Sequence, residues 1–222
     1  MLNENFMLVL SIVDIIGTVA FAVSGVLVGI RSKLDLFGIY VLALATASGG
    51  GIIRDIVIGR EVPVFFIQWK YFAAISVTMV TTCLLYSMVN RVMSFIVLAD
   101  AVGLGVFTVI ATYKAMEYGL PVLGIVFAGV ITGVGGGILR DIMVNEIPLI
   151  FRSEVYAVPS IVGSLMFYFL YDCIGLCINI YLCVGIIFAI RMISVKLRLH
   201  LPVISKGGTE PTIDRSRKNF RM

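Results

Sequence analysis

Two runs of three glycines, each followed by an arginine and an aspartate, stand inside apolar stretches of this sequence. The motif residues are Gly49, Gly50, Gly51, Arg54 and Asp55 in the first run and Gly135, Gly136, Gly137, Arg140 and Asp141 in the second. Asp14 and Asp100 lie within two further apolar stretches. Charges at such positions are expensive in lipid and commonly mark ion or proton pathways. Adjacent glycines weaken a helix and leave its carbonyl and amide groups accessible to water, an ion or a neighbouring helix.

Other kinds of chemistry find little support. The sequence contains no nucleophile elbow, phosphate-binding loop, HExxH or CxxC motif, and no basic surface interleaved with aromatic residues. The four cysteines lie in apolar runs without a surrounding set of metal ligands. We therefore expect neither an enzyme nor a nucleic-acid-binding protein, and no cofactor or bound metal.

The composition is that of a membrane protein. Hydrophobic residues make up 60% of the 222 residues, charged residues only 14%, and the mean hydropathy is +1.07. A helix needs about 20 apolar residues to cross a bilayer. Runs of suitable length predict an all-α polytopic membrane protein with seven transmembrane helices at 6–30, 36–58, 69–90, 94–114, 121–144, 155–172 and 174–195.

The glycine motif is part of an internal duplication. The two motifs are 86 residues apart, and the same offset relates Asp14 to Asp100 and Phe21 to Phe107. Each copy would hold three helices, an odd number, so the second copy enters the membrane from the opposite side. The prediction is a 3+3+1 arrangement: a first three-helix repeat at 1–90, an inverted repeat at 91–172, a seventh helix at 173–195 and a basic cytoplasmic tail at 196–222.

Each buried charge should have a partner at the same depth. By helical rise, Asp14 lies close in depth to Arg54, and Asp100 close to Arg140. We expect these two pairs to be in contact, with Asp55 and Asp141 capping nearby backbone or facing a water-filled mouth. The pairs would act either as static struts or in conduction and gating, and the residues leave both readings open.

The glycines and nearby hydroxyls also have two readings. The triplets would kink their helices beside an ion path, or they would simply allow close helix packing. Ser48 and Thr132, close to the triplets, are candidates to line that path. Alternatively, their hydroxyls bond to carbonyls of their own helices.

Basic residues predict the orientation of the chain. With seven alternating spans they fall mainly on the side of the C-terminus, including Arg191 and Lys196 in the last span and after it. This places the C-terminus in the cytoplasm and the N-terminus outside, in a multi-pass protein of the inner membrane.

The doubled Gly-Gly-Gly-x-x-Arg-Asp motif resembles the bacterial family that carries the glycine transporter domain and belongs with the prokaryotic trimeric intracellular cation channels. The resemblance extends over residues 6–195. It implies a homotrimer in membrane lipid, with one pore per protomer near the second and fifth spans, kinked at the two glycine triplets, and a monovalent cation, potassium or sodium, as permeant ion. The Lys-Glu-Val triplet of the animal channels is missing. A secondary transporter for glycine or another small amino acid remains an alternative, since carriers also use inverted repeats and broken helices.

Overall fold

The computed structural model describes residues 4–88, 92–152 and 155–197, and its regular secondary structure over these ranges is helical. The tail predicted at 196–222 lies outside them except for its first two residues. The helices are α1 (Glu4–Arg31), α2 (Leu36–Val57), α3 (Val64–Ile67), α4 (Trp69–Leu85), α5 (Val92–Glu117), α6 (Val122–Met143), α7 (Leu149–Arg152), α8 (Val158–Leu170) and α9 (Leu176–Leu197).

Six of these helices (α1, α2, α4, α5, α6 and α9) are long and apolar enough to cross a membrane, counted over the described ranges. The chain is thus an all-helical polytopic membrane protein. The predicted sixth span, 155–172, is too long: α8 has 13 residues and is capped by Ala157. Pro159 stands in its first turn, where the missing N–H and fixed φ favour a helix start.

Helix ends recur at equivalent positions in the two halves of the chain. Gly59 ends α2 with a positive φ, and Asn145, 86 residues later, does the same after α6. In both places the next residue donates its N–H to the carbonyl of the motif aspartate, Asp55 or Asp141. This is the Schellman pattern that closes a helix and turns the chain sharply. The sharp turn brings the short helices α3 and α7 back beside the aspartates.

The centre of the fold is formed by α1, α2, α5 and α6, which pack on one another. Helix α4 packs on α1 and α2, as α8 packs on α5 and α6, whereas α9 packs on α5 and α8. At the middle, the rings of Phe21 and Phe107 stack with centroids 5.3 Å apart. The two halves of the chain therefore meet through equivalent residues.

The glycine triplets lie where α2 crosses α6. A Cβ atom on Gly50 would overlap the carbonyl oxygen of Thr132, and one on Gly136 would overlap that of Thr46. Both helices stay α-helical through their triplets. At this crossing the glycines therefore provide close packing, as small residues do between membrane helices. A bend within the continuous helix stays a prediction.

Candidate functional site

Each motif arginine is held by the aspartate that follows it. Nε and Nη2 of Arg54 approach Oδ1 of Asp55 at 2.8 and 2.7 Å. The second carboxylate oxygen, Oδ2, accepts the backbone N–H of Val64 at 2.8 Å. Asp55 thus neutralises the arginine and caps the first residue of α3, so it connects the end of α2 to that helix.

The second motif repeats this arrangement. Nε and Nη2 of Arg140 lie 2.8 and 2.7 Å from Oδ1 of Asp141. Oδ2 of Asp141 accepts the N–H of Leu149, the first residue of α7, at 3.0 Å. The expectation that both aspartates cap neighbouring backbone is confirmed. We call Asp14, Arg54 and Asp55 the N-terminal cluster, and Asp100, Arg140 and Asp141 the C-terminal cluster.

In the C-terminal cluster the remaining arginine nitrogen is fully engaged. Nη1 of Arg140 donates to Oδ1 of Asp100 at 2.9 Å and to the hydroxyl of Ser24 at 2.6 Å. Arg140, Asp100 and Ser24 are all almost completely buried. The predicted contact between Asp100 and Arg140 is confirmed, and it joins α5 to α6 while the Ser24 bond adds α1.

The predicted Asp14–Arg54 pair is wrong. Asp14 instead accepts the hydroxyl hydrogen of Tyr71 from α4. Nη1 of Arg54 is buried and has no hydrogen-bond partner among the described residues. Similar depth brought the two charges to one region, as expected, but a tyrosine on a third helix competes successfully for the carboxylate.

A small cavity of about 20 Å³ adjoins the N-terminal cluster. This space is sufficient for a single water molecule and is polar enough to hold one. Apolar side chains such as Phe107 close part of its wall. Its polar lining consists of Asp14, Thr18, Ser48, Arg54, Asp55 and Tyr71.

The two candidate hydroxyls bond to their own helices. Ser48 donates to the carbonyl of Leu44 and Thr132 to that of Ala128, both at 2.6 Å. Ser48 nevertheless borders the cavity, where its oxygen retains acceptor capacity. Thr132 is fully buried at the crossing of α2 and α6. The alternative reading of these hydroxyls, as helix-bonded groups, is the one that the geometry bears out.

Sequence reasoning missed three residues near the clusters. Tyr71 and Tyr156 are 85 residues apart, the offset that also relates Pro63 to Pro148, and this signal was readable. Arg191, interpreted above as a topology-determining charge, is 2% exposed and stands over the Tyr156 ring at 4.5 Å. No sequence signal pointed to that contact, because α9 lies outside the duplicated region.

Paired buried ions inside a compact bundle of apolar helices are typical of membrane channels and transporters. The sequence matches the family described as "Glycine transporter" over residues 11–87 and 97–172. The chain belongs to this family, which falls within the superfamily of trimeric intracellular cation (TRIC) channels.

Two relatives that are similar to this chain in sequence are described as membrane proteins. A UPF0126 membrane protein of Vibrio cholerae is 46% identical over 158 residues, which cover 70% of this chain and 66% of that protein. The UPF0126 inner membrane protein YadS of Escherichia coli K12 is 37% identical over 196 residues, 86% of this chain and 94% of the relative.

Solved structures of TRIC channels share the fold. A prokaryotic TRIC channel crystallised in 0.5 M KCl has a TM-score of 0.83 and 30% identity, over 88% of this chain and 100% of that one. The TRIC orthologue of Rhodobacter sphaeroides has a TM-score of 0.82 and 30% identity, over 86% and 99% of the two chains.

Proposed function

We propose that this protein is a homotrimeric channel for monovalent cations, chiefly potassium, with one pore in each protomer near the crossing of α2 and α6. The single observation that carries the proposal is the polar cavity beside Asp14 and Ser48, set in a fold shared with TRIC cation channels at 30% identity and above. Each protomer would sit in the inner membrane with its N-terminus outside and its C-terminus in the cytoplasm.

The carboxylates of the N-terminal cluster suit a cation. The cluster contains Asp14 and Asp55 against one guanidinium, Arg54, and Lys114 lies close enough to interact electrostatically with all three. Carboxylates in a cleft with low-dielectric walls attract cations and repel anions. Carboxylate and hydroxyl oxygens are also the ligands that replace part of the water around a permeating potassium or sodium ion.

The proposed architecture is the 3+3+1 arrangement, with repeats at 1–90 and 91–172 and the seventh helix at 173–195. Three features support it: the equivalent helix ends, the paired aspartate caps and the stacked phenylalanines. In this arrangement α2 and α6 approach the midplane from opposite sides. Water and ions would then reach the glycine crossing from each surface.

The test is single-channel recording of the purified protein in planar bilayers with asymmetric KCl, in parallel with glycine uptake into liposomes. We expect discrete cation-selective steps and no saturable uptake. Replacing one of the two carboxylates that border the cavity, Asp14→Asn, should lower the potassium-to-chloride permeability ratio, because a negative charge beside the proposed ion path is lost. The matched control is Asp172→Asn, which makes the same chemical change at an exposed carboxylate and should leave the ratio unchanged.

Silent bilayers accompanied by saturable glycine accumulation would refute the channel and favour a carrier. Equal permeability ratios in the wild-type protein and Asp14→Asn would leave the channel standing but remove the N-terminal cluster from its ion path.

A further inference from the structure

Arg191 is a buried cation on the helix that the duplication does not account for. It is 2% exposed and lies in α9, which packs against α5 and α8. Charges within membrane helices are costly and usually serve a specific partner. Arg191 contacts Tyr156: the guanidinium carbon lies 4.5 Å from the centroid of the tyrosine ring, a favourable cation–π distance.

Tyr156 connects Arg191 to the C-terminal cluster. The tyrosine is 1% exposed, and its hydroxyl lies 2.6 Å from the point that a Cβ atom on Gly137 would occupy. Oδ1 of Asp100 is 3.3 Å from the same point. The ring of Tyr156 therefore contacts Arg191, and its hydroxyl lies against Gly137 of the α6 triplet.

Charge gives the arginine a second role. The C-terminal cluster contains two carboxylates, Asp100 and Asp141, against one guanidinium, Arg140. Arg191 places a second buried positive charge next to Tyr156, whose hydroxyl lies near Oδ1 of Asp100. Since all these groups are buried, their mutual attraction is screened less than it would be at the surface.

The N-terminal half is built differently. Tyr71, which corresponds to Tyr156 at the offset of 85 residues, donates to Asp14. The cation near its ring is the adjacent, half-buried Lys70 at 5.3 Å, not a buried arginine from an additional helix. A Cβ atom on Gly51 would have only Arg54 Nη2 nearby, at 3.9 Å. The last turns of α2 thus have space that the equivalent turns of α6 lack.

We propose that Arg191 is a positioning residue: it holds Tyr156 against Gly137 and thereby locks the C-terminal half, so that the ion path opens by movement in the N-terminal half. This inference rests on the proposed channel function. The two halves, although built on a common design, would then differ in mobility, because α9 carries Arg191 to the C-terminal half alone.

The experiment compares open probability in planar bilayers for the full-length protein and for Arg191→Gln. Loss of the cation–π contact should release α6 and raise the open probability about twofold to thirtyfold, the range that cation–π contacts span from exposed to desolvated sites. Tyr156→Leu should have the same effect, and the double variant should equal either single one. Tyr156→Phe retains the ring under Arg191 but removes the hydroxyl that lies against Gly137, so it should raise the open probability less than Tyr156→Leu does.

One control variant and one fallback variant accompany Arg191→Gln. Lys196→Gln, the control, removes the same charge from an exposed position of the same helix and should leave the open probability unchanged. If Arg191→Gln does not fold, Arg191→Lys retains the charge without the planar stacking group and should give an intermediate increase.

Unchanged or lowered open probability in folded, trimeric Arg191→Gln or Arg191→Lys would overturn the proposal, even if the unfolding temperature fell. Additive effects of Arg191→Gln and Tyr156→Leu would also overturn it. If the wild-type protein carries no current, the proposed function fails first. The contact itself is then tested by thermal unfolding, where the two substitutions must be non-additive for the positioning role to survive.

Discussion

Replacing single glycines of the two triplets by alanine should raise or lower the stability of the protein, depending on which glycine is replaced. In Gly136→Ala the new methyl group would meet the carbonyl oxygen of Thr46 well below 3.0 Å, a separation that real Cβ atoms essentially never show. The obstacle is backbone, so α2 and α6 must move apart by about 1 Å to reach ordinary contact. Overpacking of this kind costs about 1–3 kcal/mol.

The alanine also brings a gain. Alanine favours a helix over glycine by about 1 kcal/mol. The net effect of Gly136→Ala should therefore be a destabilisation of up to about 2 kcal/mol, and Gly50→Ala should match it because its Cβ meets Thr132 in the same way. Gly51→Ala is the matched control. Its Cβ has no neighbour closer than 3.9 Å, so it should be neutral or stabilising by up to about 1 kcal/mol.

Thermal unfolding of the purified variants in detergent measures the difference, and single-channel conductance reports whether the helix crossing has changed. An unfolding midpoint for Gly136→Ala equal to or above that of Gly51→Ala would refute the reasoning. It would mean that α2 and α6 do not approach closely at the triplets and that the glycines have another purpose.

Three further substitutions test the clusters. Arg140→Gln should destabilise the protein more than Arg54→Gln, by about 1.5–3 kcal/mol, because Arg140 alone bonds Asp100 and Ser24 as well; equal unfolding midpoints would contradict this. Asp55→Asn should cost about 3–5 kcal/mol in thermal unfolding, since it leaves Arg54 buried without its counter-ion, and a loss no larger than that of Asp172→Asn would refute the pairing. Tyr71→Phe should free Asp14 to approach Arg54 and so alter single-channel conductance, whereas wild-type conductance would exclude the Tyr71–Asp14 bond from the ion path.

Features that depend on the order of residues along one helix were predictable. Runs of apolar residues located the helices to within a few residues, except that α8 is shorter than its apolar run. The duplicated motif predicted that Asp55 and Asp141 would either cap backbone or face a water-filled mouth; both cap backbone, and Asp55 also borders the cavity. These results follow because hydrophobic length and motif spacing are properties of the chain alone.

Which buried charged groups contact each other was predictable only in part. Helical rise gives the depth of a residue, and this sufficed for Asp100 and Arg140. The same argument failed for Asp14 and Arg54, because depth does not specify which side of a helix faces which neighbour. Tyr71 reaches Asp14 from α4, and only the packing of three helices decides that competition.

The sequence by itself determined that this is a polytopic helical membrane protein with a duplicated glycine and Arg-Asp motif, because those conclusions need only hydrophobicity and spacing. The tertiary structure decided that the glycines serve the contact of α2 with α6, that Arg54 and Arg140 have unequal partners, and that Arg191 stands over Tyr156. Each of these depends on the rotation of one helix against another, which packing of all the helices together sets and which no local pattern encodes.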